Sequence, residues 1–199
     1  MGVKWETKTD KIPDMVKTIE TLGGKKIQVG VLEGEQRWLA GVHEYGCDIK
    51  AKKAQYLTVP IHPAAVGKKA RSFPDLFLFT AASGEKFLAK GKGNELEFYY
   101  WLTRSVKIPE RSFLRAGHDK YSDEVLKKVE RALCQVLNGK MSEDQFLDMA
   151  GRMLATKIKT YARDLNTPPN SNITINNKGS SNPLVDTGNM IEGITWRVE

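Results

Sequence analysis

An α/β (α+β) architecture follows from three features of this 199-residue chain: a small, mainly antiparallel sheet packed against long helices, with a β-rich insertion. Two apolar stripes at helical spacing occupy residues 119–165. Short alternating runs at 26–32 and 194–198 read as strands at opposite ends of the chain. Between strand and stripes, residues 47–116 abandon helical periodicity for brief extended runs punctuated by Gly and Pro.

The elements follow in order. Ile12, Met15, Val16, Ile19 and Leu22 share one side of a helix over 11–22, and its buried face is expected there. Pro13 is tolerated in the first turn, and Gly23-Gly24 ends the helix. Ile27, Val29 and Val31 alternate as a strand over 26–32. A short helix fits 36–45, with Trp38, Leu39, Val42 and Tyr45 on one side and Gly46 closing it. In the insertion, Tyr56–Pro60 is extended and Ala64–Arg71 holds a turn or two of helix. Leu76–Phe79 and Lys86–Ala89 flank Ala82-Ser83-Gly84 as a hairpin. Glu97–Val106 is a strand with four successive aromatics, Phe98, Tyr99, Tyr100 and Trp101. Neighbours on a strand point to opposite faces, so at most half of these rings can serve one ligand. Packing the insertion onto the main sheet is their expected use.

A helix over about 119–137 carries Tyr121, Val125, Val129, Leu133 and Val136, and stops at Asn138-Gly139. The next opens on Ser142-Glu143-Asp144-Gln145, a capping box in which Ser142 and Gln145 satisfy each other's free N–H. Phe146, Met149, Ala150, Met153, Ile158, Tyr161 and Leu165 then share a side over roughly 36 Å, with the two methionines as core filler. Residues 166–183 hold six Asn, and their only aliphatic hydrocarbon side chains besides proline are Ile173 and Ile175, so a flexible surface loop is expected. Order returns at the end. Asp186 or Thr187 caps a short turn, Gly188 allows its sharp entry, and Met190 and Ile191 give it something to bury. Gly193 stops the turn, and Ile194, Trp196 and Val198 alternate as a final strand docked into the sheet.

Charge and motifs narrow the function. The net charge is +7, and residues 51–116 alone carry twelve Lys or Arg against five Asp or Glu, so the rest of the chain cancels. Such a segment suits nucleic acid, an acidic protein surface, or a merely solvated face. No apolar run approaches the ~20 residues that span a bilayer, so no membrane partner is expected. Met1-Gly2-Val3-Lys4-Trp5-Glu6 lacks the apolar core of a secretion signal, which points to synthesis in a cytoplasm. Cys47 and Cys134 stand far apart without a CxxC spacing and read as idle thiols. His43-Glu44-Tyr45-Gly46-Cys47 begins like a zinc helix but lacks the second His at i+4. A metal-dependent hydrolase would need Cys47 in its place, with His62 or His118 as third ligand. His118-Asp119 has no partnered nucleophile, and Gly91-Lys92-Gly93 lacks the strand and helix of a phosphate loop. No catalytic set, cofactor site or metal site emerges, and a non-enzymatic chain is expected.

Three stretches carry a resemblance. Val42-His43-Glu44-Tyr45-Gly46, Ile108-Pro109-Glu110-Arg111-Ser112-Phe113-Leu114, and Pro183-Leu184-Val185-Asp186-Thr187-Gly188-Asn189-Met190 with Ile194–Val198 occur in that order. They resemble the virion-morphogenesis or tail-completion proteins of tailed bacteriophages, which occupy the neck between capsid and tail. Tyr56–Pro60 and Lys68–Phe77 are similar to the insertion of Mu-like prophage members. Met190 stands where Leu is usual, and the Asn-rich loop departs from the family pattern. The resemblance implies a protomer with one long helix laid across a small sheet, working in a homo-oligomeric ring of six or twelve copies. It implies assembly in the host cytoplasm and a place in the virion neck, between head-connector (stopper) and tail-terminator proteins, with DNA passing nearby. Glu44, Tyr45, Gly46, Pro109, Arg111, Phe113, Arg115, Leu184, Asp186, Thr187, Gly188, Met190 and Trp196 are the residues it singles out, as inter-subunit contacts or structural supports. Arg111 and Arg115, one helical turn apart, would share a carboxylate on an adjoining subunit or make salt bridges within their own chain. The alternative function is a cytoplasmic nucleic-acid-binding protein using residues 51–116.

Overall fold

In the computed structural model, which describes residues 10–91, 93 and 95–199, the first and last strands meet. Residues 1–6 and Lys92, cited above, lie outside the described residues. Helix α1 (Ile12–Gly23) leads to β1 (Ile27–Val31) and α2 (Gln36–Tyr45). The excursion follows: β2 (Cys47–Lys50), β3 (Leu57–Pro60), two single 3-10 turns at 63–65 and 70–72, β4 (Phe77–Thr80), β5 (Lys86–Lys90), β6 (Glu97–Thr103) and β7 (Ser105–Ile108). Helices α3 (Phe113–Leu137), α4 (Glu143–Asp164), α5 (Asn172–Lys178) and α6 (Asn189–Glu192) precede β8 (Ile194–Val198).

The α+β reading holds, and every strand pairing is antiparallel. The strands form three small sheets rather than one: β1-β8, β2-β7, and β3-β6-β5-β4. β8 pairs residue for residue with β1, from Ile27 opposite Val198 to Val31 opposite Ile194. Helix α4 lies across this pair. A Cβ at Gly151 would come within 2.4 Å of the Trp196 ring, so glycine lets the strand press onto the helix. The indole Nε1–H then donates to the Asp148 carboxylate at 3.1 Å.

Two of the three hydrophobic clusters belong to this body. The larger unites Val31, Ala40, Phe113, Ala155, Ile158 and Ala162 with Leu184, Met190, Ile191 and Ile194, so the last sixteen residues supply four of its ten buried members. The second joins the far ends of α3 and α4 through Ala132, Val136, Phe146 and Leu147, with Leu22 and Ile27 against it. The excursion owns the third: Ala65, Tyr99 and Tyr100, with Phe73, Leu76 and Leu88 around them.

Several expectations change. Only part of the α1 stripe is covered: Met15 and Leu22 are half-buried beside the end of α3, while Ile12, Val16 and Ile19 are 67%, 48% and 52% exposed. α2 buries Ala40, Val42 and Glu44 and turns Trp38 and Tyr45 outward. α3 starts at Phe113, six residues before the expected point, because its first turn is capped from outside its own sequence. The expected strand over 97–106 breaks at Arg104, where it changes partner from β3 and β5 to β2. Residues 166–183 contain α5, opened by Ser171 Oγ accepting the Thr174 N–H and closed by left-handed Gly179. α6 is entered through Gly188 at φ +86°, and the Thr187 hydroxyl accepts the Asn189 N–H only at 3.5 Å, so the expected Asp186 or Thr187 cap contributes little.

Candidate functional site

The segments that carry the motifs converge where α2 ends and α3 begins. Glu44, on the last turn of α2, is 2% exposed. Ser112 should cap α3, yet its side chain makes no capping bond. Glu44 does it from another helix. Its carboxylate accepts the backbone N–H of Leu114 at 2.8 Å and of Arg115 at 3.1 Å, and the Ser112 hydroxyl at 2.9 Å. These are the second and third N–H groups of the helix, which have no partner inside it, and a negative charge there also meets the positive end of the helix dipole. Arg115 closes the other side. Its Nε donates to the same carboxylate at 2.9 Å, its Nη2 to Glu110 at 2.7 Å, and its guanidinium lies 4.8 Å over the Tyr45 ring.

Gly46 makes the approach of the two chains possible. Its φ is +71°, and an added Cβ would sit 2.8 Å from the Glu110 nitrogen and 2.9 Å from the Ile108 oxygen, both backbone. The Arg111 N–H donates to the His43 carbonyl at 2.7 Å, which ties the same two chains one step further on. Each residue of Glu44-Tyr45-Gly46 thus has a distinct task against Pro109–Arg115.

Arg111 is 4% exposed and has no carboxylate partner among the described residues. Its guanidinium donates to carbonyls and an amide instead: Pro168 O at 2.8 Å, Pro169 O at 3.1 Å and Asn170 Oδ1 at 3.2 Å. Burial lowers its pKa from the ordinary arginine value. Among the described residues Arg111 and Arg115 therefore share no carboxylate. Arg115 makes salt bridges within its own chain, while Arg111 holds the 168–170 segment onto the body. Asn170 and Asn182 continue this tie. Asn182 Oδ1 accepts the N–H groups of Leu184 and Val185, and its Nδ2 donates to the Arg163 carbonyl.

A cavity of about 320 Å³ lies beside this lock between α2 and α3, lined by His43, Asn170, Lys178, Leu184, Asp186 and Met190 among others. His43 is half-buried here. Burial, then the charges of Arg111 and Lys178, push its pKa down to about 4. It faces Arg111 Nη1 through Nδ1 at 3.5 Å, and Arg111 can only donate, so the neutral ring carries its proton on Nε2. The sign follows from linkage: a histidine whose folded pKa is depressed costs no stability above about 6.5, and its penalty accumulates as pH falls from about 6.5 to about 4. The expected loss across that window, reduced by solvent screening of a half-buried ring, is on the order of 1–2 kcal/mol. Urea unfolding at a series of pH values should show it, and His43→Gln, which keeps an acceptor without the titration, should flatten the slope.

Phe113 is fully buried in the main core, as are Leu184 and Met190. Pro109 lies in the link between β7 and α3, and Gly188 opens α6 in the left-handed conformation. Asp186 acts on Lys178 by charge alone, raising the pKa that burial lowers. Trp196 lies apart from the lock, on α4. Cys47 and Cys134 are free thiols, and His118 pairs with Asp119 at 3.2 Å on the surface of α3. Among the described residues, no three His, Cys, Asp or Glu side chains are placed to hold a metal, and no helix is long and apolar enough to cross a membrane. The Asn170 and Asn182 contacts were missed in the sequence, where the only signal was a run of short amides beside prolines. No family model, curated protein or solved structure matches this chain.

Proposed function

We propose that this chain is a structural, non-enzymatic protein of a bacteriophage neck, one copy of a ring around the DNA passage that joins the head connector to the tail. One observation carries the assembly part of this reading. Two separate helices turn large apolar side chains to solvent: Ile12, Val16 and Ile19 on α1, and Trp38 and Tyr45 on α2, the last two 71% and 68% exposed. Trp38 and Tyr45 are two turns apart and so stand on one side, flanking a shallow groove with Arg37, Gly41 and Val42. Two unlike apolar surfaces on one protomer are what a head-to-tail ring requires, since each interface joins different patches. The motif residues support the role in another way. They brace the frame from inside, and the outer surfaces remain for neighbours.

Sedimentation velocity and native mass spectrometry test the proposal. A closed oligomer of fixed copy number is expected, reduced to monomer by Trp38→Ser with Tyr45→Ser at unchanged circular dichroism. In the phage, loss of the protein should leave DNA-filled heads and detached tails. A wild-type chain that stays monomeric at its highest soluble concentration, or normal virions without it, would overturn the reading.

A further inference from the structure

The excursion leaves the body at β2 and returns through β7. It carries eleven Lys or Arg against five Asp or Glu over residues 47–108, and the rest of the chain is nearly neutral. Its four-stranded sheet has two unlike faces. Tyr100, Leu88 and the 3-10 turns pack on one side, where the Tyr100 hydroxyl donates to the Lys68 carbonyl at 2.9 Å. On the other, the register places Phe79 beside Phe87 and Phe87 beside Trp101, and then Phe77 beside Ala89 and Ala89 beside Phe98. A register shift at Leu88/Ala89 puts Phe98 on this side and frees Tyr99 to stack on His62. Phe98 meets Phe79 at 5.3 Å and Phe87 at 5.2 Å between ring centroids. None of these five outward aromatics belongs to a hydrophobic cluster of the fold. The expectation that Phe98, Tyr99, Tyr100 and Trp101 pack the insertion onto the main sheet is not met: Tyr99 and Tyr100 belong to the excursion's own cluster, Phe98 and Trp101 to none.

Cations gather at one end of this sheet, where Lys86, next to Phe87 on β5, points to the Tyr100 side. Lys86 Nζ lies 2.9 Å from the Tyr56 hydroxyl and 5.0 Å over its ring. Arg104 stands beside the same hydroxyl, and the two cations, Lys86 first, hold the phenol below its ordinary pKa. Lys52 and Lys53 occupy the segment that runs from Ala51, bonded to the Arg104 carbonyl, to Tyr56. Among the described residues, Lys90 with Asp75 is the ion pair within the excursion, so Lys52, Lys53, Lys86 and Arg104 are left without a carboxylate.

We infer that the aromatic face of the β3-β6-β5-β4 sheet, with Lys52 and Lys53 in the segment that leads into β3, binds an unpaired nucleic-acid strand. Bases stack on aromatic rings whatever their sequence, and lysines and arginines follow the phosphates. The charge selects this occupant over a second copy of the chain, since two such excursions brought face to face would repel. A duplex keeps its bases stacked within and would leave the rings uncovered. This inference does not rest on the ring reading, and either can fail alone.

Fluorescence anisotropy with labelled oligothymidylate and oligouridylate, longer than the ~4–16 nucleotides that a small β domain covers, tests it. Expected are binding that weakens steeply with salt, and quenching of tryptophan emission. Lys52→Glu with Lys53→Glu should weaken binding at least tenfold. Phe77→Ala, at a 42% exposed site, should weaken it by about fivefold or more. Both variants should keep the wild-type circular dichroism. The two oligonucleotides also separate DNA from RNA as the source of the strand. Absence of binding at low salt would overturn the inference. So would equal affinity for duplex in wild type and Phe77→Ala, or loss of self-association rather than strand binding in that variant.

Discussion

A chain ending at Glu192 does not reach the native fold. Among the described residues β8 is the sole partner of β1, and it brings Ile194, 1% exposed, into the main cluster and Trp196 onto Gly151. Burying one large apolar side chain contributes about 1.5–3 kcal/mol, and domains of this size are stable by about 5–15 kcal/mol in total. Losing Ile194, most of Trp196 and a five-residue ladder removes a large part of that margin and uncovers a strand edge beside α4. Near-UV circular dichroism should lose its aromatic signal, and urea unfolding its cooperative transition. A truncated chain with a wild-type transition would show that the body does not depend on its final strand.

Glu44→Ala ranks second. The carboxylate satisfies two backbone N–H groups of α3, the Ser112 hydroxyl and the Arg115 guanidinium at once, in a site closed to water. Removing one member of a buried charged pair costs about 3–5 kcal/mol, because its partners stay behind unsatisfied. Arg115 is half-exposed and can recover water, which places the expected loss near the lower end of that range. Glu44→Gln keeps the shape and one acceptor, and should cost less than Glu44→Ala. Equilibrium denaturation of both variants checks the order. A Glu44→Ala midpoint within error of wild type would remove Glu44 from the frame.

Much of this fold could be read from the chain. Alternation at Ile27–Val31 and Ile194–Val198 located both strands, and the Ser142–Gln145 box located the start of α4 to the residue. What failed was partnership between distant segments. A helix start capped by Glu44 leaves no local signal at Ser112, so α3 was begun too late. The four-residue strand at Cys47–Lys50 shows no alternation, since its existence depends on β7, more than fifty residues away. The α1 stripe was legible as a stripe, but periodicity states only that a face is apolar, not that the same chain covers it. In the candidate site, the motif residues were found and their roles were not. Arg111 looked like a donor waiting for a carboxylate, and only the fold brings the Pro168 and Pro169 carbonyls to it.

The pairing of the first strand with the last also sets when the molecule can be completed. Gln28 and Glu199 touch across 171 positions, so the body has no finished sheet until the segment through Glu199 has been made. The strand pairings of the excursion all fall within residues 47–108, and only the Asn177 bond to the Pro60 carbonyl waits for a later segment. Synthesis therefore presents the paired strands of the excursion on a base that stays unfinished until Ile194–Val198 has emerged.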